Sequence, residues 1–257
     1  MNHGPKNLID LGGKVALVNG ASRGIGEAIA RGLAECGARV VLSSRSLESV
    51  QSVADSISEA GGEASARACH AGRLEDIDGL FESVRADFGR LDILVNNAAT
   101  NPYYGPAEKL PPEAFDKTVE VNLKGPYYMM SRAFPLMGEH GGGSIVNVAS
   151  IMALIAMPGQ AIYAMTKAGL VSLTRSFAKE GGKFGVRVNA ILPGVVETRF
   201  ARALVDDPGV QKWLSRLPVP RAAQPDEMVG GVLYLVSDQA SYTTGTTLVM
   251  DGGATIG

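Results

Sequence analysis

Tyr163-Ala164-Met165-Thr166-Lys167 sets a phenol and an ammonium four residues apart in a segment of helical character. On a helix, that spacing puts both groups on one face, about one turn apart. A nearby cation favours phenolate, so the spacing predicts a Tyr163 pKa below its reference of ~10. Such a phenol protonates an alkoxide, or deprotonates an alcohol, at working pH. Ser150 lies thirteen residues earlier, where the apolar run 144–148 ends. A serine hydroxyl at the carboxyl end of a strand faces the ligand crevice of an open α/β sheet, where it can bond a substrate carbonyl. The plainer role for the same residue is a turn cap. Other chemistries fit poorly: neither G-x-S-x-G nor H-E-x-x-H occurs. Ser176 and Lys179 match S-x-x-K without its companion motifs. His3, His70 and His140 are scattered, so no metal site is expected.

A second constellation lies near the N-terminus. Asn19-Gly20-Ala21-Ser22-Arg23-Gly24-Ile25-Gly26 follows the first apolar run with glycine spacing G-x-x-x-G-x-G. Glycines there let the backbone turn sharply and approach a pyrophosphate, and they open a helix whose first N–H groups face the anion. The position after the first strand of a βαβ unit makes this a dinucleotide turn rather than a bland one. Cofactor choice falls to the end of the second strand, where an acidic residue would bind a ribose 2′-OH. The chain has Ser43-Ser44-Arg45 instead. No carboxylate repels a 2′-phosphate, and Arg45, with Arg23, can pair with one through charge-assisted bonds. NADP(H) is therefore favoured over NAD(H), against the alternative of two solvated surface arginines.

The elements that must position these groups alternate along the chain. Nearly continuous apolar runs at 15–18, 40–43, 93–96, 144–148 and 186–191 fit strands buried on both faces. Weaker strands are expected at 64–69 and 246–250. Amphipathic helices are expected at 25–36, 47–60, 74–88, 112–137, 161–184 and 225–236, several ending at glycine. Strand–helix alternation throughout predicts an α/β fold, one doubly wound parallel sheet of about seven strands with helices on both faces. The whole chain, 1–257, reads as a single domain. Residues 194–221 lack clean periodicity, hold three prolines, and read as a substrate-binding lid.

Composition narrows the class. With 46% hydrophobic and 19% charged residues among 257, the chain is an ordered globular protein. A net charge of −2 supplies no footprint for nucleic acid or for an anionic membrane. Two cysteines, Cys36 and Cys69, make no disulfide framework and suit a reducing compartment. No signal peptide is visible at 1–10, and the apolar stretch 145–165 is interrupted by polar residues, Pro158 and Gly159. A cytoplasmic protein without membrane or nucleic-acid partners is expected.

Taken together, these motifs resemble the short-chain dehydrogenase/reductase family over nearly the whole chain, from Lys14 to Gly253. They stand in family order: the glycine turn, Asn96-Asn97-Ala98-Ala99, Asn122, Ser150, Tyr163 and Lys167, Pro193-Gly194 with Thr198, and Asp251-Gly252-Gly253. The resemblance implies a Rossmann fold and hydride transfer between NADP(H) and a carbonyl/alcohol pair. It makes Tyr163 the general acid–base, while Lys167 lowers its pKa and binds the nicotinamide ribose. Ser150 polarises the carbonyl, and Asn122 holds a water in a proton relay, its bland role being a kink in a long helix. It implies that Asn96 and Ala98 border the adenosine ribose, with Asp92 a structural support. Val196 and Thr198 contact the carboxamide and pyrophosphate. Three positions depart from the family pattern. Asn19 replaces a threonine and can still bond the neighbouring strand. Ala99 replaces a glycine. His70 replaces an adenine-binding aspartate and can offer an acceptor only as neutral imidazole.

Residues 96–105 and Ser43-Ser44-Arg45 look like the carbonyl-reductase branch that includes NADPH-dependent retinal/dicarbonyl reductases. Candidate substrate walls are Ile151, Met152, Leu154, Met157, Tyr103, Tyr104, Phe200, Leu204 and Trp213, which suit an apolar ketone or aldehyde. Arg199, Arg202, Lys212 and Arg216 supply a basic rim for an alternative, a 3-oxoacyl-thioester (acyl-carrier-protein) reductase. A third alternative is a non-catalytic dinucleotide sensor. The family forms homotetramers or homodimers through its long central helices and its C-terminal strand.

Overall fold

A computed structural model describes residues 9–256. Residues 1–8 and 257 of the expected domain, His3 among them, lie outside the described residues. Seven parallel strands form one sheet: β1 (Val15–Asn19), β2 (Arg39–Ser44), β3 (Glu63–Ala68), β4 (Ile93–Asn96), β5 (Gly143–Val148), β6 (Val186–Pro193) and β7 (Thr247–Met250). The order is β3-β2-β1-β4-β5-β6-β7. Every residue of β1 and β4 is buried, as their uninterrupted apolar runs require of strands covered on both faces.

Among the described residues, nine α-helices connect and follow the strands: α1 (Gly24–Glu35), α2 (Leu47–Glu59), α3 (Leu74–Phe88), α4 (Pro112–Val119), α5 (Gly125–Gly138), α6 (Ala161–Gly181), α7 (Arg202–Val205), α8 (Pro208–Leu214) and α9 (Val229–Val236). On one face Ile29 and Leu33 of α1, Val50 and Val53 of α2, and Val232 and Leu235 of α9 pack on Ala16, Val18, Val40 and Val146. On the other, Ile77 and Leu80 of α3 and Met129, Met130 and Leu136 of α5 pack on Val15, Leu17, Leu94 and Ile145.

The strand order reverses between β1 and β4. The loops that leave these two strands diverge to opposite sides, and the gap between them is where open α/β sheets bind ligands. Asp92 ties the foot of this junction: its carboxylate accepts from Val15 N at 2.9 Å and from Arg90 Nε at 2.9 Å.

Three expected elements differ in detail. The helix expected at 112–137 divides into α4 and α5 around a π-helical turn, Glu120–Lys124. One extra residue per turn there rotates Asn122 toward the Thr100 segment, a task a regular helix does not perform. The helix expected at 225–236 begins with a tighter 3₁₀ turn, Pro225–Met228. The one expected at 161–184 ends the same way, Gly182–Phe184. Residues 194–221 hold the short helices α7 and α8 around a small core of Val210, Leu214 and Ala222.

Candidate active site

A cleft of about 800 Å³ runs along the carboxyl ends of β1, β2, β4, β5 and β6. At one end lies the glycine turn. Gly20 N and Ala21 N both donate to Ser43 O, at 2.8 and 3.1 Å, which folds the chain back on β2. Gly20 has φ +77°, and a Cβ there would stand 2.7 Å from the Ala98 backbone. A side chain is excluded twice over, by conformation and by space. A Cβ on Gly26 would meet Gly20 O at 2.3 Å. Gly26 therefore packs beneath the turn and does not line the cleft, whereas Gly20, Ser22, Arg23, Gly24 and Ile25 do. No side chain caps the N-terminus of α1, so its first N–H groups stay available to an anion.

The neighbouring wall comes from β2 and the turn after it. Ser44 and Arg45 line the cleft together with Arg23. Both arginines are exposed, and neither forms an ion pair with another described residue. Asn19, the substituted position, accepts from Ser43 Oγ at 3.3 Å and so keeps a tie to the neighbouring strand.

His70 lines the cleft, but its ring is occupied. Nδ1 accepts from Gly72 N at 3.1 Å, and Nε2 lies 3.0 Å from Lys117 Nζ. Burial, then the charges of Lys117 and Arg73, holds its pKa below the ordinary value. Both ring nitrogens are engaged, so the expected adenine contact meets no free one. The Cys69 thiol beside it is pushed up to about 12, chiefly by burial and then by Asp76. Cys36 and Cys69 are unpaired.

At the centre of the cleft the three chemical groups meet. Ser150 follows β5, Tyr163 and Lys167 stand on the first turns of α6, and all three line the cavity. Lys167 is 2% exposed, and its Nζ donates to Val148 O at 2.8 Å. Burial brings its pKa down to about 8. The ammonium lies over the Tyr163 ring, 5.6 Å from its centroid. Here the sequence expectation is corrected. Enclosure pushes the Tyr163 phenol up to about 12, and the hydroxyl of Ser150 pulls it only partly back. Desolvation outweighs the hydrogen bond from Ser150. Ser150 Oγ also accepts from Met152 N at 3.2 Å, so the capping role and the active-site position coexist.

Two expected site residues are turned elsewhere. Asn96 is 2% exposed, and its Nδ2 donates to Asn147 Oδ1 at 2.9 Å inside the sheet. Because side chains alternate along a strand, the cleft receives Asn97 instead, whose Nδ2 holds Gly20 O at 2.8 Å. Asn122 is wholly buried. Its Oδ1 accepts from Thr100 N at 2.8 Å, and its Nδ2 donates to Thr100 O at 2.9 Å and Thr166 Oγ1 at 3.3 Å. The amide clamps the Thr100 segment through both its oxygen and its nitrogen.

The far wall comes from β6 and the segment after it. Pro193, Gly194, Val196 and Thr198 line the cleft, joined by Ala98 from the β4 loop. A Cβ on Gly24 would lie 3.1 Å from Thr198 Cγ2, so this wall closes directly on the glycine turn. Ile151, Met152, Met157, Tyr104, Phe200, Leu204 and Trp213 make the apolar surface, with the Phe200 ring 6.0 Å from that of Tyr163. Leu154 is 51% exposed and Tyr103 donates to Pro106 O at 2.8 Å; neither lines the cavity. Of the basic rim, Arg199 reaches the cleft and Arg202 pairs with Asp206 at 3.6 Å. Lys117 and Gln160 were not foreseen as site residues, and no local pattern marks either one. Among the described residues there is no cluster fit to hold a metal, and no helix is long and apolar enough to cross a membrane.

Residues 20–255 match the family model described as Enoyl-(Acyl carrier protein) reductase. Human "Dehydrogenase/reductase SDR family member 4" is 39% identical over 244 residues, covering 95% of this chain and 88% of that protein. "L-rhamnose 1-dehydrogenase (NAD(P)(+))" of Azotobacter vinelandii is 40% identical over 252 residues, covering 96% and 97%. A solved structure of a gluconate 5-dehydrogenase from Burkholderia cenocepacia J2315, in complex with NADP and tartrate, superposes with TM-score 0.93 at 33% identity, covering 96% of this chain and 97% of that one.

Proposed function

The chain belongs to the short-chain dehydrogenase/reductase family, and on that premise we propose that it moves hydride between NADP(H) and a carbonyl/alcohol pair, with reduction of an apolar ketone or aldehyde as its main direction. The observation that carries this is the meeting of Ser150, Tyr163 and Lys167 in one cleft whose other end is the glycine turn. The family's fold binds a nicotinamide dinucleotide, which supplies the hydride. The free N-terminus of α1, the side-chain-free Gly20 and the unpaired Arg23 and Arg45 fit its phosphates.

The protein's own part is orientation and proton movement. Tyr163, neutral with a pKa of about 12, donates its proton to the oxygen of the reduced carbonyl. Ser150 Oγ holds that oxygen, and Lys167, fixed by Val148 O, holds the ribose. Asn122 acts one step back, by clamping Thr100. The segment 194–221 acts as a lid, since it carries Phe200, Leu204 and Trp213 over the cavity. Arg23 and Arg45 support NADP(H) over NAD(H). Reduction of 3-oxoacyl thioesters is the second reading, favoured by Arg199 in the cleft; the description of the matching family model shares with it only the acyl-carrier-protein substrate. The half-exposed Phe115, Tyr127 and Met165 on α4–α6 support a homodimer or homotetramer, and the two free cysteines a cytoplasmic setting.

Fluorescence titration with NADPH and NADH, followed by NADPH oxidation over ketones, aldehydes and acyl thioesters, tests the proposal. Tight NADPH binding with ketone turnover is expected. Turnover of thioesters alone moves the assignment to the second reading, and binding without any turnover makes the chain a sensor.

A further inference from the structure

The dinucleotide end of the cleft extends past the glycine turn to the exit of β3. Cys69 N donates to Ser44 O at 2.8 Å, which sets the residues after β3 beside Ser44 and Arg45. In an open α/β sheet the pyrophosphate takes the helix N-terminus and the ribose takes the end of the second strand. With β3 outermost in the order β3-β2-β1, a base that continues outward from that ribose meets the end of β3. Cys69, Ala71 and Val121 give this corner apolar walls for a planar ring, and His70 and Lys117 give it polar groups.

The polar groups of the corner hold more donors than acceptors. Gly72 N donates to His70 Nδ1 at 3.1 Å, and Lys117 Nζ lies 3.0 Å from Nε2. Burial, then Lys117, Arg73 and Arg45, outweigh Glu120 and favour the neutral imidazole. A neutral imidazole has one accepting nitrogen for these two donors. Gly72 N is fixed by the main chain, whereas the ammonium rides on a flexible four-carbon stem. Its other partner, Glu120 Oε2, lies at 3.3 Å, so at least one of its three protons has no acceptor among the described residues. No carboxylate offsets this surplus in the corner. Asp76 accepts from His70 N at 2.8 Å, and neither it nor Glu120 lines the cleft. Among the described residues the one carboxylate that does, Asp207, belongs to the N-cap of α8 at the substrate end. Adenine shows a donating amino group at position 6, whereas a 6-oxo purine shows two acceptors side by side, O6 and N7, the edge that lysine and arginine recognise.

We propose that Lys117 is the specificity residue for the base, and that the donor-rich corner of His70 and Lys117 selects an acceptor at purine position 6, so that a hypoxanthine dinucleotide binds more tightly than its adenine counterpart. The inference rests on the reading of the cleft as a dinucleotide site and goes beyond it by naming the purine edge that the site selects. The spare proton of the Lys117 ammonium donates to O6, while the amino group of adenine at the same place meets a second donor.

Fluorescence titration of the full chain with NADPH and with its hypoxanthine analogue tests this through binding alone. The two share the reduced nicotinamide and the 2′-phosphate and differ only in the purine. The analogue is expected to bind the wild type about tenfold tighter, through a charge-assisted bond that adenine does not offer. Lys117→Met should bring the ratio of dissociation constants close to one. Lys117→Arg, which keeps the donors, should preserve it, and Lys117→Glu, which puts an acceptor in their place, should turn it in favour of NADPH. Equal affinities in the wild type, or tighter binding of NADPH, overturn the inference and leave the cofactor reading standing. So does a ratio unchanged in both Lys117→Met and Lys117→Glu, which is the result for a lysine that only supports the fold. Binding of neither dinucleotide to the wild type removes the cofactor reading and the inference together.

Discussion

The two ends of the cleft are built differently. The dinucleotide end hangs on β1, β2 and β4, whose side chains are buried on both faces, and on a turn held by Ser43 O and Asn97 Nδ2. The substrate end hangs on α7 and α8, four and seven residues long, packed around a core of three buried side chains. Backbone geometry dominates the first and side-chain packing the second. A cofactor common to many reactions is met by rigid main chain, and a substrate peculiar to one reaction by a weakly cored segment that tolerates change.

Tyr163→Phe strikes where the two ends meet, and it should have the largest effect. Turnover should fall by about 10²–10⁴-fold, with NADPH affinity by fluorescence titration unchanged. A comparable loss of binding would mean that the phenol belongs to the dinucleotide end instead. Arg45→Ala tests the rigid end alone. Loss of a charge-assisted bond of about 1.5–3 kcal/mol should weaken NADPH by about 10–100-fold and NADH little, by parallel titrations. Equal weakening of both would take Arg45 off the 2′-phosphate. Trp213→Ala tests the other end, since Trp213 packs against both the small core around α8 and the wall around Met152 and Leu170. It should lower kcat/KM for an aromatic ketone by about tenfold and leave the dinucleotide dissociation constants alone.

The pH profile should show the smallest change. Lys167, with its pKa lowered to about 8, is charged below that pH and neutral above it. Reduction should be level through neutral pH and decline a few-fold as pH rises through about 8. Alcohol oxidation needs the phenolate of a group at about 12 and should still be rising there. A fall in reduction on the acid side would contradict these assignments.

Much of the rigid end was legible because its signals are local. The five apolar runs named β1, β2, β4, β5 and β6 to within two residues at either end, since a strand buried on both faces has no polar alternation to confuse it. The glycine turn was legible because left-handed φ and close backbone approach leave little choice of residue. The side-chain direction of Asn96 was not legible. Adjacent strand residues face opposite ways, and a one-residue shift decides between the sheet interior and the cleft. The break in the helix expected at 112–137 was legible only as a kink at Asn122; its π form was not, because nothing within the segment requires one and the contact with Thr100, from another loop, does.

The sequence by itself determined the family, the parallel sheet and the order in which Ser150, Tyr163 and Lys167 stand along the chain. Each rests on residue types at short, fixed spacing. Tertiary structure alone decided the environment of those groups. It raised the phenol to about 12 when the Tyr–Lys spacing predicted a fall, because desolvation depends on everything packed around a group. It occupied the imidazole of His70 with Gly72 and Lys117, and it brought Asn101 to Gln160 across 59 positions of chain. Contacts between distant segments leave no periodic trace in the sequence, and in this cleft they set the surroundings of Ser150, Tyr163 and Lys167.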